Sequence, residues 1–466
     1  MSVIRVESRT FEYHVPVLII GAGATGLIAA LAAREAGAET LVLERDARPF
    51  GSTGMSLGAI CACATAAQRR AGITDDSPER LYQDIMAQTL NRADPVLARV
   101  IANESGPTVD WLEERHGIGF DLDLAWRGLG HSRPRLHLPK GRSGEDLMTR
   151  LYEAALRAGA DVMTQAHVDA LYADATDRVL GVRIERPDGS HEEVGCDNVV
   201  LATCGFGGNH EMVAHFIPEM ARAKYFGHEG NRGEGIAWGM ELGAAVGDMT
   251  AYQGLGTLAE PHAIVVPHTL LIDGGVLLNI HGRRFVNELE NISGMCVPVL
   301  AQPEGIAWVF FDEHRFKLSL AHSLELRQCQ EAGAVRTAPT LEALCELCHL
   351  PFEAVRETLE AVRGMSSGKV TDPFGRDFTG VAPLEPPFMA IRVTGALFHT
   401  QGGLQIDEYA RVLRPNGEPL PNLHAGGGAA RSVSGPEVTG YLPAMGLAPA
   451  ATFGRIAGRT AATRPA

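Results

Sequence analysis

The chain has 466 residues, 45% hydrophobic and 21% charged, with 56 acidic side chains against 41 basic ones and a formal charge of −15. That length predicts two domains with volume for a buried cofactor. The acidic balance argues against nucleic acid or an anionic membrane as a partner, since both repel a negative surface.

The first informative stretch is residues 15–54. An apolar run over 15–20 meets Gly21, Gly23 and Gly26 in G-x-G-x-x-G spacing, a small-residue helix runs to about Ala36, and a second apolar run, Thr40–Leu43, ends at Glu44. Strand, glycine turn, helix, strand, acid is the order of a dinucleotide site. Gly21 permits the turn, Gly23 admits the pyrophosphate to the backbone, and Gly26 lets the helix pack close, so its N-terminal amides face negative charge. Glu44 stands where a carboxylate accepts from ribose hydroxyls. Residues 15–33 carry no charge, but Pro16 and three glycines make them a poor membrane span. Arg5, Glu7, Arg9, Glu12 and His14 precede the run, which does not resemble an export signal.

Helix starts are predicted at Ser77-Pro78-Glu79 and Asp94-Pro95. A loop over 127–142 gathers Arg127, His131, Arg133, Arg135 and His137, which would serve either an anionic substrate or surface carboxylates. Arg133 and Arg135 are therefore candidate substrate contacts. A helix resumes at 144–158, and Val179–Glu185 with 192–195 flanks the Asp188-Gly189 turn as a hairpin. A separate short strand over 197–203 then leads into CGFGGN, a second close approach of backbone to the same cofactor.

From about Ala251 to Phe398 the texture changes to strands at 276–280 and 307–311 and helices within 341–363, which reads as an inserted domain. Such an insertion produces a cleft, and clefts bind ligands. Eight scattered cysteines, Cys61, Cys63, Cys196, Cys204, Cys296, Cys329, Cys345 and Cys348, show no disulfide framework, so reduced thiols in a cytoplasmic setting are expected. Cys345-x-x-Cys348-His349 matches a haem-attachment pattern, but Leu341, Leu344, Cys345 and Cys348 recur at helical spacing and read as a core face. No metal is expected. Glycine-rich strands and turns return at HTQGGLQID and HAGGG, and the last residues read as a closing helix.

The order GAGATG, GSTGMS, LATCGFGGN, GRRFVNE, HTQGGLQID with HAGGG, and TFGRIAG resembles the flavoprotein of the fumarate reductase and succinate dehydrogenase superfamily over nearly the whole chain. The resemblance implies an α/β fold in which a Rossmann-like FAD-binding domain (1–250 and 400–466) carries an inserted capping domain (251–399). It implies FAD contacts at Gly21, Gly23, Gly26, Glu44, Ser52, Thr53, Gly402, Gly403, Gly446 and Leu447. Respiratory members link the flavin through a His in the segment that here reads GSTGMSLGA; no His is present, so the FAD is expected to be non-covalent. GRRFVNE is read as a structural turn in which Asn287 and Glu288 bond backbone.

Departures from the family matter too. The positions aligned to its carboxylate clamp and proton donor fall near Leu255, Ile292 and Tyr441, and only His399 survives. A dicarboxylate would lack its charge partners, so fumarate and succinate are not expected as substrates. Tyr441 resembles instead the 3-ketosteroid Δ1-dehydrogenase branch, where a tyrosine and a nearby backbone amide polarise a ketone. The reaction implied is desaturation next to a carbonyl, with Tyr441, a 444–446 amide and His399 stabilising the enolate. Tyr252 or His268 would remove the α proton, Met445 would touch substrate, and hydride would pass to flavin N5 and on to an unidentified acceptor. The rivals are a flavin-dependent ene-reductase of an enone or unsaturated acid, a non-catalytic flavin-binding subunit, and a nicotinamide dehydrogenase.

Overall fold

The computed structural model describes residues 2–126, 128–321 and 323–463. It divides into two units. The first holds residues up to 218, 227–252 and from 399 onward; the second holds Glu219–Phe226 and Gln253–Phe398.

The first unit is built on a nine-stranded sheet. Its central strand, His14–Ile20, has five of seven residues buried, so the apolar run is a strand covered on both faces. The strand lies parallel to Thr40–Leu43 on one side and to His191–Leu201 on the other, and His191–Leu201 lies parallel to Pro419–Ala425. The register pairs Ile20 with Leu43 and Leu201, and Leu201 with Ala425. Four strands therefore end in one row, and Gly21, Glu44, Ala202 and Gly426 follow them at the carboxyl edge, where ligands bind in open α/β sheets. The helices Ala24–Glu35 and Leu447–Thr463 cross where side chains are small. A β-carbon on Gly458 would lie 2.0 Å from the Ala29 carbonyl oxygen, and one on Gly454 2.7 Å from that of Thr25.

The starts expected at Pro78 and Pro95 are present, capped by the side chains of Ser77 and Asp94. Two expectations change. Residues 192–195 and 197–203 are one strand, His191–Leu201. Asp197 does not break it, because its carboxylate reaches the His14 ring at 2.9 Å and its carbonyl accepts from Asn422. The closing helix begins only at Leu447.

In the second unit, Phe388–Thr400 pairs with Ile306–Asp312, which pairs in turn with Val276–Asn279. Alternation along these strands feeds two cores. Leu277, Ala307, Val309, Phe311, Met389 and Ile391 point one way; Val276, Leu278, Trp308, Phe310 and Ala390 point the other. Cys345 and Cys348 lie buried in the second core, and burial pushes their thiols up to about 11 and about 12, as a packed helix face requires. Glu219–Phe226 belongs here and not to the first unit, since Lys224 and Tyr225 pair with Ala396 and Leu397. The GRRFVNE turn is tied to backbone: Glu288 accepts from the Leu277 N–H at 3.0 Å and Asn287 from that of Leu289 at 3.0 Å. Glu288 also pairs with Arg284 and Arg376 in the buried interior. No helix among the described residues is long and apolar enough to cross a membrane.

Candidate active site

At the carboxyl edge of the first unit, Gly21 adopts a φ of +102°, and a β-carbon there would lie 2.4 Å from the Ala202 carbonyl oxygen. A β-carbon on Gly26 would lie 1.9 Å from the Gly21 carbonyl oxygen, so this glycine brings the helix onto the turn. Gly23 differs. The nearest atom to a β-carbon there is the Thr53 hydroxyl, 3.9 Å away, so the space in front of it is open. The helix that starts after Gly23 has no side chain of its N-cap residue on its amides and no acid in its first turn; the Ala24 N–H is engaged by the Thr53 hydroxyl at 3.3 Å. An open cradle at uncapped amides fits a pyrophosphate.

Glu44 lies beside this turn, its carboxylate accepting from the Ala22 and Asp46 N–H groups at 2.9 Å each. Burial raises its pKa and the two amides pull it back. Ser52 accepts from Asn231 at 2.6 Å. Asn231 is buried and escaped the sequence reading, since it lies 179 residues from its partner.

Gly402 and Gly403 have a reason beyond any ligand. Their β-carbons would lie 2.3 Å from the Asp248 carbonyl oxygen and 2.7 Å from that of Ala429, so close backbone packing demands glycine at both. Leu447 opens the last helix, directly after Gly446.

A family profile described as FAD binding domain matches residues 16–439. The chain belongs to the FAD-dependent fumarate reductase and succinate dehydrogenase flavoprotein superfamily. It is an FAD-dependent oxidoreductase. It is 30% identical over 453 residues to a fumarate reductase (cytochrome) of Shewanella frigidimarina, covering 96% of this chain and 77% of that one. It is 28% identical to a urocanate reductase of Eggerthella lenta, covering 96% and 74%. Among solved structures it resembles an open flavocytochrome c3 fumarate reductase, with a TM-score of 0.84 at 28% identity over 97% of this chain and 78% of that one. It also resembles a 3-ketosteroid-Δ4-(5α)-dehydrogenase of Rhodococcus jostii in complex with 4-androstene-3,17-dione, with a TM-score of 0.78 at 26% identity over 99% and 100%.

In this flavoprotein His399 and Tyr441 come together, their rings edge to face with centroids 5.6 Å apart. Their tips converge on Gly446: a β-carbon there would lie 3.3 Å from His399 Nε2 and 3.5 Å from Tyr441 Oη. Burial lowers the His399 pKa to about 4. Burial raises that of Tyr441, opposed by the Gly446 and Met445 amides beside the phenol. Both groups are thus neutral near pH 7.

The turn that carries them is held from behind. His131 Nε2 donates to the Pro443 carbonyl at 2.8 Å, and Arg135 lies 3.5 Å from His131 Nδ1. Arg135 is fully buried, bidentate to Asp76 at 2.7 and 2.9 Å and bound to Asp84 at 2.5 Å. Burial opposes its charge, but these carboxylates more than offset it and the pKa rises. The expectation of Arg135 as a substrate contact is corrected accordingly: a guanidinium enclosed by two carboxylates supports the turn instead. Arg133 pairs with Asp75 at the surface. Arg127 lies outside the described residues. Met445 is buried, its N–H bonded to Leu442 O at 3.2 Å.

The two expected bases lie in different places. Tyr252 is buried at the edge of the first unit, next to Ala251, whose carbonyl accepts from the Gln401 N–H at 2.8 Å. His268 packs inside the second unit near Arg376 and Glu288, and burial lowers its pKa to about 4.

Proposed function

We propose that this enzyme introduces a carbon–carbon double bond next to the carbonyl of an uncharged ketone or related compound. The observation that carries this reading is the convergence of the His399 and Tyr441 tips on Gly446, with both groups neutral. Two uncharged donors in a dry site suit an oxygen that gains negative charge as the neighbouring C–H is lost. They do not suit a carboxylate, which would be buried without a counter-charge. Two arginines of this unit's described residues are already paired, Arg135 with Asp76 and Asp84, and Arg431 with Asp94 and Asp248.

FAD, held non-covalently, supplies hydride acceptance from the β carbon. Tyr441 and His399 hold the carbonyl oxygen, and Met445 packs beside it. Of the two candidate bases Tyr252 is favoured, because its neighbour Ala251 is bonded to Gln401 beside His399, whereas His268 faces a cation–carboxylate pair. The resemblance to the dehydrogenase crystallised with 4-androstene-3,17-dione supports a cyclic ketone.

The relationship to the Eggerthella urocanate reductase supports a second reading, in which the same donors serve reduction of an enone or unsaturated acid. The purified yellow protein should be mixed anaerobically with a panel of saturated ketones, and in its reduced form with enones and enoic acids. Bleaching by a saturated ketone supports desaturation. Reoxidation by an unsaturated compound alone supports the reverse, and silence towards both overturns an activity at this pair.

A further inference from the structure

The two ring nitrogens of His399 have different neighbours. Nδ1 lies 2.8 Å from the side-chain amide nitrogen of Gln401, while the amide oxygen of Gln401 accepts from the Ser434 hydroxyl at 2.9 Å. Gln401 is fixed along its backbone as well: its N–H donates to the Ala251 carbonyl at 2.8 Å and its carbonyl accepts from the Ser432 N–H at 2.9 Å. Both Gln401 and Ser434 are buried.

With the Ser434 hydroxyl on its oxygen, the Gln401 amide turns its nitrogen to His399 Nδ1, and because an amide nitrogen only donates, Nδ1 accepts in this orientation. A neutral imidazole that accepts at Nδ1 carries its proton on Nε2. Nε2 is the atom nearer Gly446, 3.3 Å from where its β-carbon would stand.

We infer that Gln401 is a positioning residue that locks His399 in the tautomer protonated at Nε2, so the atom facing the substrate oxygen is a hydrogen-bond donor and not a base. The inference rests on the carbonyl reading above for its catalytic meaning. It makes His399 and Tyr441 two donors to one oxygen and leaves proton removal to another group. It also makes position 401 a selector: a carboxylate there would accept from Nδ1–H and turn Nε2 into an acceptor.

The test is nitrogen NMR of the FAD-bound protein carrying 15N-labelled histidine, without substrate, with His399 assigned by its loss in His399→Asn. Wild type is expected to show an unprotonated Nδ1 and a protonated Nε2. Gln401→Glu is expected to place a proton on Nδ1. Gln401→Met, which keeps the volume and removes the hydrogen bonds, is expected to mix the two tautomers. It should also lower kcat by roughly 10- to 100-fold, the range seen when a metal-bound histidine loses its outer hydrogen-bond partner, with bound flavin and KM little changed. A wild-type proton on Nδ1, or an unchanged tautomer in Gln401→Met, overturns the inference. Because the tautomer is read without substrate, failure of the ketone panel would overturn the carbonyl reading and leave this result standing.

Discussion

His131 donates to the carbonyl oxygen of Pro443 across 312 residues of sequence, at 2.8 Å, and so ties the turn that follows Tyr441 to the loop that carries His131 within the same unit. The turn needs this tie because Ala444 sits at a φ of +64°, a left-handed conformation that costs a non-glycine residue of the order of 1 kcal/mol. His131→Phe would leave the half-buried Pro443 carbonyl without its donor, at a cost of about 1 kcal/mol. The expected outcome is a lower midpoint in urea and a fall in kcat with flavin content preserved. Equal stability and turnover would remove His131 from the support of the turn.

Arg133 and Arg135 look alike in the sequence and should behave differently. Arg135→Met leaves Asp76 and Asp84 facing a buried apolar side chain, and removing one partner of such a network costs about 3–5 kcal/mol. Arg133 is partly exposed and its partner Asp75 more so, so their pair is screened and Arg133→Ala should unfold close to the wild-type temperature. Thermal denaturation of the two variants side by side checks the contrast.

What was legible in the sequence was local. The G-x-G-x-x-G turn, the strands around it and the capped helices follow from neighbouring residues, because turn geometry and capping are settled within a few positions. The Arg135 network was not, since Asp76 and Asp84 lie 59 and 51 residues away and nothing in a run of arginines says which is buried. The meaning of Gln401 depends on Ser434, 33 residues on, and that of 219–226 on a parallel pairing with 396–397. His399 and Tyr441 could be named from the resemblance, but their shared focus on Gly446 needed the structure.

Gly446 gives the sharpest test of that focus. The β-carbon of Gly446→Ala would stand 3.3 Å from His399 Nε2, a tight contact, and 3.5 Å from Tyr441 Oη, an ordinary one, with no backbone among its nearest neighbours, so the fold should survive. It would occupy the space in which a substrate oxygen meets the two donors. Turnover is expected to collapse with the flavin still bound. Tyr441→Phe, which removes one donor and no volume, is expected to cost roughly 10²- to 10³-fold in kcat, the range seen when one oxyanion donor is lost. Steady-state kinetics on the substrate found in the ketone panel checks both.

The glycines of the nucleotide turn separate folding from cofactor binding. Gly26→Ala drives a β-carbon to 1.9 Å from the Gly21 carbonyl and should disrupt the turn itself. Gly23→Ala meets nothing nearer than 3.9 Å, so the protein should fold, yet its methyl group would project where the pyrophosphate must approach. Gly23→Ala is expected to purify folded by circular dichroism and nearly colourless. A fully yellow Gly23→Ala would place the pyrophosphate elsewhere.

Acid should destabilise the protein through its buried histidines. His131, His268 and His399 are each lowered to about 4, chiefly by burial, from an ordinary value near 6.5. Between those values the unfolded chain binds protons at these sites that the folded chain does not, so stability rises with pH. The contribution is fully present above about pH 6.5 and is lost progressively as pH falls towards 4. Each such group adds up to about 1.4 kcal/mol per pH unit to the slope within that window. His399→Asn should therefore flatten the pH dependence of the urea midpoint by about one proton between pH 4.5 and 6, while leaving its slope above pH 7 unchanged. The same slope in wild type and variant would mean that His399 is protonated in the folded protein, and with that the neutral site facing Gly446 would fall.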